Sequence, residues 1–392
     1  MLVSWRAVTA RRLTRHGLVV PFPDAPSAVS AMVGAHAQVL SAAELAIGLR
    51  TADSTTTTVR DALWRDRTLI KTFGPRGTVH LVTAGEFRPW LAAFSNLTSR
   101  TAPIAGVSLS DSETDAVVAA IDDALTRSGA AGLPLTTQEL GDEVIARVGD
   151  WAGELTFPAF DGFWPRWRQA IATAAYRGVL CFGPQRGARV TYTRPLDASG
   201  AERLTGDDAV LWLLRRYLDS YGPASPAEFA RWLAVPVRRA QELFALADLD
   251  AVTIDDSNAP DPLAGTDREQ RWINAGDGTF PDEGVRGIRL LPYFDPFIVG
   301  SHPRSLLFPG AAQRAMPSGS AGNFPVLLVD GVAGGIWHAK RSGKHVVITV
   351  ESLVRLTKQH SRELDEQVQR VGELLGAAPE LALGPVPVGP HA

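Results

Sequence analysis

Lysine is almost missing from this 392-residue chain: four of its 39 basic residues are Lys and the rest are Arg. Cysteine is scarcer still, and the single Cys181 excludes an internal disulfide and any cysteine-rich zinc site. No apolar run approaches the roughly 18 residues that a membrane span needs. Arg6, Arg11, Arg12 and Arg15 open the chain with no apolar stretch behind them, so no signal peptide is expected and a cytoplasmic protein is. There is no His-Glu-x-x-His pair, no Gly-x-Ser-x-Gly elbow and no phosphate-binding loop, which sets aside three large enzyme classes. Eight histidines are scattered along the chain. His338 and His345 flank a hairpin without an acidic partner, a poor metal site. The expectation is chemistry with no metal and no cofactor.

What is present describes a globular protein: 45% of residues are apolar and 21% charged. The length suits two to four packed units. A net charge of −3 conceals an uneven distribution. Residues 1–100 hold 12 Lys/Arg against 6 Asp/Glu, residues 101–200 hold 8 against 12, and residues 201–392 hold 19 against 24. The segments therefore carry +6, −4 and −5. A polyanion would be drawn to the first, with an affinity that falls as salt rises; a solvated arginine-rich surface is the plainer alternative.

The same order of elements recurs. In the first hundred residues, Arg11–Leu18, Pro26–Ala37, a helix opened by the Ser41-Ala42-Ala43-Glu44 capping box, and Thr58–Trp64 read as helices. Leu69–Thr72 and Gly77–Val82 read as strands around the turn Phe73-Gly74-Pro75-Arg76. Helices followed by a β-hairpin is the order of a winged helix. A second pass predicts helices Ser112–Arg127, Thr136–Arg147 and Trp164–Arg177 and a hairpin of Gly178–Phe182 with Arg189–Thr193. A third predicts Asp207–Leu218, Ser225–Leu233 and Val237–Ala247 with strands Ala251–Ile254 and Arg271–Asn274. Beyond residue 265 come short strands, Ile288–Leu291, Pro325–Val329, Gly335–Ala339 and His345–Val350, with a tight turn at Asp330-Gly331. A helix over Leu353–Leu375 and a frayed tail over Pro385–Ala392 follow. The fold expected is α+β: three tandem winged-helix units at 1–105, 106–200 and 201–264, then a small β-barrel at 265–392.

Two constellations sit on this frame. On the first wing, Arg76, Thr78 and His80 either touch phosphate or a groove edge, or build a structural wing around one hydrogen-bonded histidine. The tip Lys340-Arg341-Ser342-Gly343-Lys344 is either a solvated turn or a phosphate contact, with Arg341 and Lys344 as candidate DNA probes. A third feature, His36-Ala37-Gln38, places an imidazole and an amide where one water can be held between them. Taken alone it reads more readily as a capping or core pair.

The chain resembles the AlkZ/YcaQ-like family of bacterial DNA glycosylases over nearly its whole length. The resemblance is carried by Arg76–Val82, by Leu291-Pro292-Tyr293-Phe294-Asp295 with Gly300-Ser301-His302-Pro303-Arg304-Ser305, and by Val329–Gly334. In that family a Gln-x-Gln or Gln-x-Asp tripeptide after the second helix supplies the catalytic residues. The matching positions here are His36-Ala37-Gln38, one of the His-x-Gln versions of the motif. The resemblance implies a monomeric, monofunctional glycosylase that acts on double-stranded DNA carrying N-alkylated purines, bulky antibiotic adducts or cross-links among them. His36 and Gln38 would be catalytic, and no Schiff-base lysine is needed. A neutral His36 acting as base predicts an activity limb near the ordinary histidine value of ~6.5. The competing reading is a non-enzymatic winged-helix regulator or damage sensor, with an interaction scaffold third.

Overall fold

A computed structural model of the chain describes residues 1–97, 107–130, 133–158, 162–195, 204–254, 269–281, 284–310, 312 and 324–386. The unit boundaries expected at 105/106, 200/201 and 264/265 lie outside the described residues, as do residues 387–392 of the expected tail.

Three groups of helices are each followed by an antiparallel hairpin. The chain opens with β1 (Leu2–Val3) and α1 (Trp5–Arg15), whose N-terminus is capped by the Ser4 hydroxyl. Helix α2 (Ala25–Ala31) is capped by Asp24 and has Pro26 in its first turn. A short strand β2 (Ala35–His36), α3 (Leu40–Gly48), α4 (Thr58–Trp64) and the hairpin β3 (Leu69–Phe73) with β4 (Val79–Thr83) complete the first group. Helix α5 (Phe87–Ser95) leads onward.

The second group contains α6 (Asp111–Ala130), β5 (Leu135–Thr136) and α7 (Thr137–Val148). A small ladder of β6 (Leu155–Pro158) with β7 (Phe163–Pro165) precedes α8 (Ile171–Tyr176) and the hairpin β8 (Cys181–Arg186) with β9 (Arg189–Thr193). The third has α9 (Gly206–Tyr221), α10 (Pro226–Leu233), α11 (Val237–Leu246) and the hairpin β10 (Leu249–Ile254) with β11 (Glu269–Asn274).

Each hairpin gains a third, two-residue strand. β2 pairs antiparallel with β4, β5 antiparallel with β9, and β1 parallel with β10. The N-terminus of the chain therefore closes the sheet of the third group. The cores interlock as well: Trp90 and Phe94 of α5 pack with Leu213, Tyr217, Phe229 and Leu243 of the third group. The second group has its own core around Ile121, Leu140, Trp167 and Phe182.

The C-terminal region carries β12 (Ile288–Leu291), α12 (Pro296–Gly300), α13 (Arg304–Leu307), β13 (Val326–Val329), β14 (Val332–Ser342), β15 (His345–Ser352), α14 (Lys358–Leu375) and β16 (Ala378–Leu383). Its five strands form an open sheet in the order β12-β13-β14-β15-β16, with β15 and β16 parallel. This corrects the expected barrel. Helix α14 crosses one face, and its side chains serve the edge: Glu363 accepts from the Ile288 N–H at 3.1 Å and Gln367 from the Leu290 N–H at 3.3 Å. An edge strand satisfied in this way needs no closure.

Four further expectations change. Helix α2 stops at Ala31, because Val33 (φ 54°) and Gly34 (φ 85°) turn the chain into β2. Ser41-Ala42-Ala43-Glu44 is not a capping box: α3 begins at Leu40 after an uncapped Val39, and Glu44 pairs with Arg60 at 2.6 Å. Trp164 lies in a strand rather than a helix, as the residue before Pro165 disfavours helical backbone. Helix α14 starts five residues later than expected, where Thr357 caps it.

Candidate active site

Strand β2 sets His36 directly opposite His80 of β4. The pairing is tightened by the Ala37 N–H, which donates to the Val79 carbonyl at 2.7 Å. His36 is 8% exposed and His80 4% exposed, while Gln38, two residues past the strand end, is exposed. The tripeptide thus holds one side chain in the protein and one at its surface.

Two rings contact His36, and a third backs one of them. His80 meets it edge-on at 5.3 Å, and Phe294 stacks on it at 4.7 Å with 26° between the planes. Trp90 lies behind His80 at 6.2 Å and donates its indole N–H to the Phe73 carbonyl at 2.9 Å. Space here is tight enough to require glycine. A Cβ on Gly74 would lie 2.7 Å from Trp90 and 2.8 Å from His80 Nδ1.

The protonation states follow from these surroundings. His80 Nδ1 donates to the Thr78 carbonyl at 3.0 Å, which fixes its tautomer, and burial pushes its pKa well below the ordinary value. His36 Nδ1 is buried with no protein hydrogen-bond partner. Burial first, and then the charge of Arg76, lower the pKa of His36 to about 4. His36 is therefore neutral throughout the range in which DNA is handled, and the limb expected near 6.5 moves down with it.

Phe294 has a left-handed backbone (φ 55°), and it is kept in place by its neighbour. Asp295 caps α12 through the Phe297 N–H and accepts two hydrogen bonds of 2.8 Å from Arg50, which follows α3. Both charged side chains are 0% exposed. The fork ties the end of α3 to the loop that lays Phe294 over His36.

The other anticipated residues separate into two places. Arg76 sits in the β3–β4 turn at φ 62° and donates to the Trp232 carbonyl at 3.1 Å, close enough for its charge to act on His36. Thr78 uses its hydroxyl to close that turn on the Pro75 carbonyl at 2.9 Å. His80, expected to touch DNA, is buried beneath His36. Arg341 and Lys344 are on the exposed β14–β15 tip, and Arg341 donates to the Leu375 and Gly376 carbonyls at 3.0 and 3.5 Å. It thereby serves the C-terminus of α14, where a cation is favourable. Phe294 and Asp295 had no assigned role in the sequence reading, although they lie inside a segment that carried the resemblance. Arg50 gave no signal at all.

Among the described residues no group of three His, Cys, Asp or Glu side chains is placed to hold a metal ion, and no helix is long and apolar enough to cross a membrane. What the arrangement offers is a neutral imidazole with an unsatisfied ring nitrogen, an exposed glutamine two residues on, and the Arg76 cation close enough to act on the imidazole.

The chain as a whole falls within a known class. Residues 29–374 match the family described as DNA glycosylase AlkZ-like. The chain belongs to this family: it is a DNA glycosylase, a DNA-binding enzyme of repair, and not a regulator without catalytic activity. It is similar to an interstrand DNA cross-link repair glycosylase from Streptomyces sahachiroi, with 30% identity over 347 residues, 86% of this chain and 88% of that protein. In fold it resembles the solved structure of Streptomyces sahachiroi DNA glycosylase AlkZ, with a TM-score of 0.79 and 24% identity over 98% of this chain and all of that one.

Proposed function

We propose that the enzyme is a monofunctional, monomeric glycosylase that hydrolyses the N-glycosidic bond of N-alkylated purines in double-stranded DNA, with His36 and Gln38 as its catalytic pair. The three helix-and-hairpin groups would act as tandem winged helices that grip the duplex. The observation that carries the reading is the neutral, buried His36 with an unpartnered Nδ1, two residues before the exposed Gln38. A buried polar atom without a partner demands an explanation, and a water poised for reaction supplies one.

A guanine alkylated at N7 carries a positive charge and leaves readily, so no strong general acid is required. Water oxygen attacks C1′ while the C1′–N9 bond breaks, and its electron pair neutralises the departing base. The water gives its proton to neutral His36, and the Gln38 carbonyl accepts a hydrogen bond that aims the water. General-base help of this kind is worth about 10²–10⁴-fold, and fixed positioning adds several kcal/mol. No lysine lies in the 36–38 segment to form a Schiff base, so the product is an unbroken strand with an abasic site.

The rings over His36 leave little space for a closed base pocket, so an adduct would stay outside and approach from the open side. That suits bulky adducts and interstrand cross-links, in keeping with the name of the Streptomyces sahachiroi relative. The test is a duplex with one N7-alkylguanine, assayed in parallel with a bulky adduct and a cross-link. Free base with an intact abasic strand supports the reading. Strand cleavage by the enzyme, or no release from any substrate despite tight binding, contradicts it.

A further inference from the structure

Three arginines from elements far apart in the chain end near one another, and one of them acts on His36. Arg76 leaves the β3–β4 turn and reaches the Trp232 carbonyl, next to Arg231 on α10. The Arg231 guanidinium lies 3.4 Å from His302 Nδ1. Arg304, two residues further on and first in α13, is held by the Ile298 carbonyl and by the Val299 carbonyl at 3.0 Å. Among the described residues none of the three forms an ion pair. Nearby carboxylates are committed elsewhere, Asp295 to Arg50 and Glu228 to Arg271.

Such a cluster is costly as it stands. Burial, then the charges of Arg76 and Arg231, lower the Arg304 pKa to about 10. The same field disfavours a cationic lesion and a cationic sugar at His36. Solvated surface arginines would avoid one another, yet two of these are anchored on backbone carbonyls. A fixed fork of donors with no anion suits a phosphodiester, which arginine binds through paired hydrogen bonds.

We propose that Arg231 and Arg304, together with Arg76, clamp one backbone phosphate of the lesion-bearing strand beside the nucleotide presented to His36. The clamp fixes register and cancels the local positive field at the moment when positive charge develops on the sugar. It rests on the reading of residues 36–38 as the reacting site, but binding alone reports on it.

The experiment scans single methylphosphonate substitutions along a duplex that holds a stable abasic-site analogue. Wild type is compared with Arg231→Gln, an exposed position, and with Arg304→Lys, which keeps the charge but loses the fork. Wild type should lose about tenfold in affinity at one phosphate next to the site. Arg231→Gln should be weaker from the start, insensitive at that phosphate only, and shallower by about 0.9 in its log–log salt dependence. Arg304→Lys should fall between the two. The proposal is overturned if wild type has no sensitive position, or if Arg231→Gln keeps the full salt slope and the full sensitivity. An intact phosphate signature without release of any alkylpurine would sink the catalytic reading and leave the clamp standing.

Discussion

Strands β2 and β5 occupy the same place in the first and second groups, each a two-residue strand beside the hairpin and just ahead of a helix. In the second group that place ends in Thr136, whose hydroxyl accepts from the Glu139 N–H at 3.3 Å while the Glu139 carboxylate accepts from the Thr136 N–H at 2.8 Å. In the first group it ends in His36, which caps nothing, and α3 starts without a side-chain cap. One copy spends the position on its helix. The other gives up that stabilisation and holds a histidine with an orphaned nitrogen.

The charges diverge in the same way. Arg127, Arg147, Arg166, Arg177, Arg186 and Arg194 of the second group all pair with carboxylates. Among the described residues Arg76, Arg231 and Arg304 do not. Of the second group's other arginines, Arg168 stacks on Trp164 at 4.0 Å. Most of that group's cations are thus neutralised in pairs, whereas those three are left open to a polyanion. Sites are commonly where local rules of stability are broken, and the remainder of the fold compensates.

The largest effect that would break this contrast lies at Arg50. Arg50→Met leaves Asp295 buried and unpaired, a loss of about 3–5 kcal/mol. Denaturant unfolding should show it, and base release should fall with it because Phe294 loses its anchor. Next comes acid sensitivity. His16, His36, His80 and His302 all have depressed pKa values, with His36 near 4 and His302 near 3. Each is neutral when folded but protonates near the ordinary value once unfolded, so the unfolded chain binds more protons below pH 6.5. Stability from these residues is complete above that pH and is lost progressively as pH falls toward 4. Thermal melting should drop across that window. Single-turnover base release by protein that is still folded should stay flat from pH 8 to about 5 and fall only near 4. A limb at 6.5 would mean that His36 is not the buried base described here.

Smaller still is the cap in the second group. Thr136→Ala should cost about 0.5–2 kcal/mol, measured by denaturation, with base release at its original rate. A loss of turnover from that change would show that the second group shares in the chemistry.

Much of the helical order was legible in the sequence because caps and periodicity are local. Thr58–Trp64 is a helix with the expected limits, and the capping residues of α7 and α10 announce themselves. His36 was expected at the end of a helix and lies instead in strand β2. A helix continuing to Ala37 looked natural because nothing in Met32-Val33-Gly34 advertises a valine at positive φ, a conformation rare for a branched residue. Ser41 and Glu44 had the spacing of a capping box, yet Glu44 finds a cation in Arg60 and the helix starts one residue earlier. The shape of the C-terminal sheet depended on Glu363 and Gln367 reaching an edge some 75 residues away, which no local pattern encodes. Phe294, Arg231 and Arg304 meet the pocket only through tertiary packing, so the sequence could point to two of them as part of a motif but not say what they face.

Single-turnover release of an N7-alkylguanine at saturating enzyme, comparing wild type with His36→Ala and Gln38→Ala at pH 7, tests the account most directly. It predicts a loss of about 10²–10⁴-fold for His36→Ala, a clear loss for Gln38→Ala, and DNA affinity near wild type for both. Release by His36→Ala at the wild-type rate would contradict it.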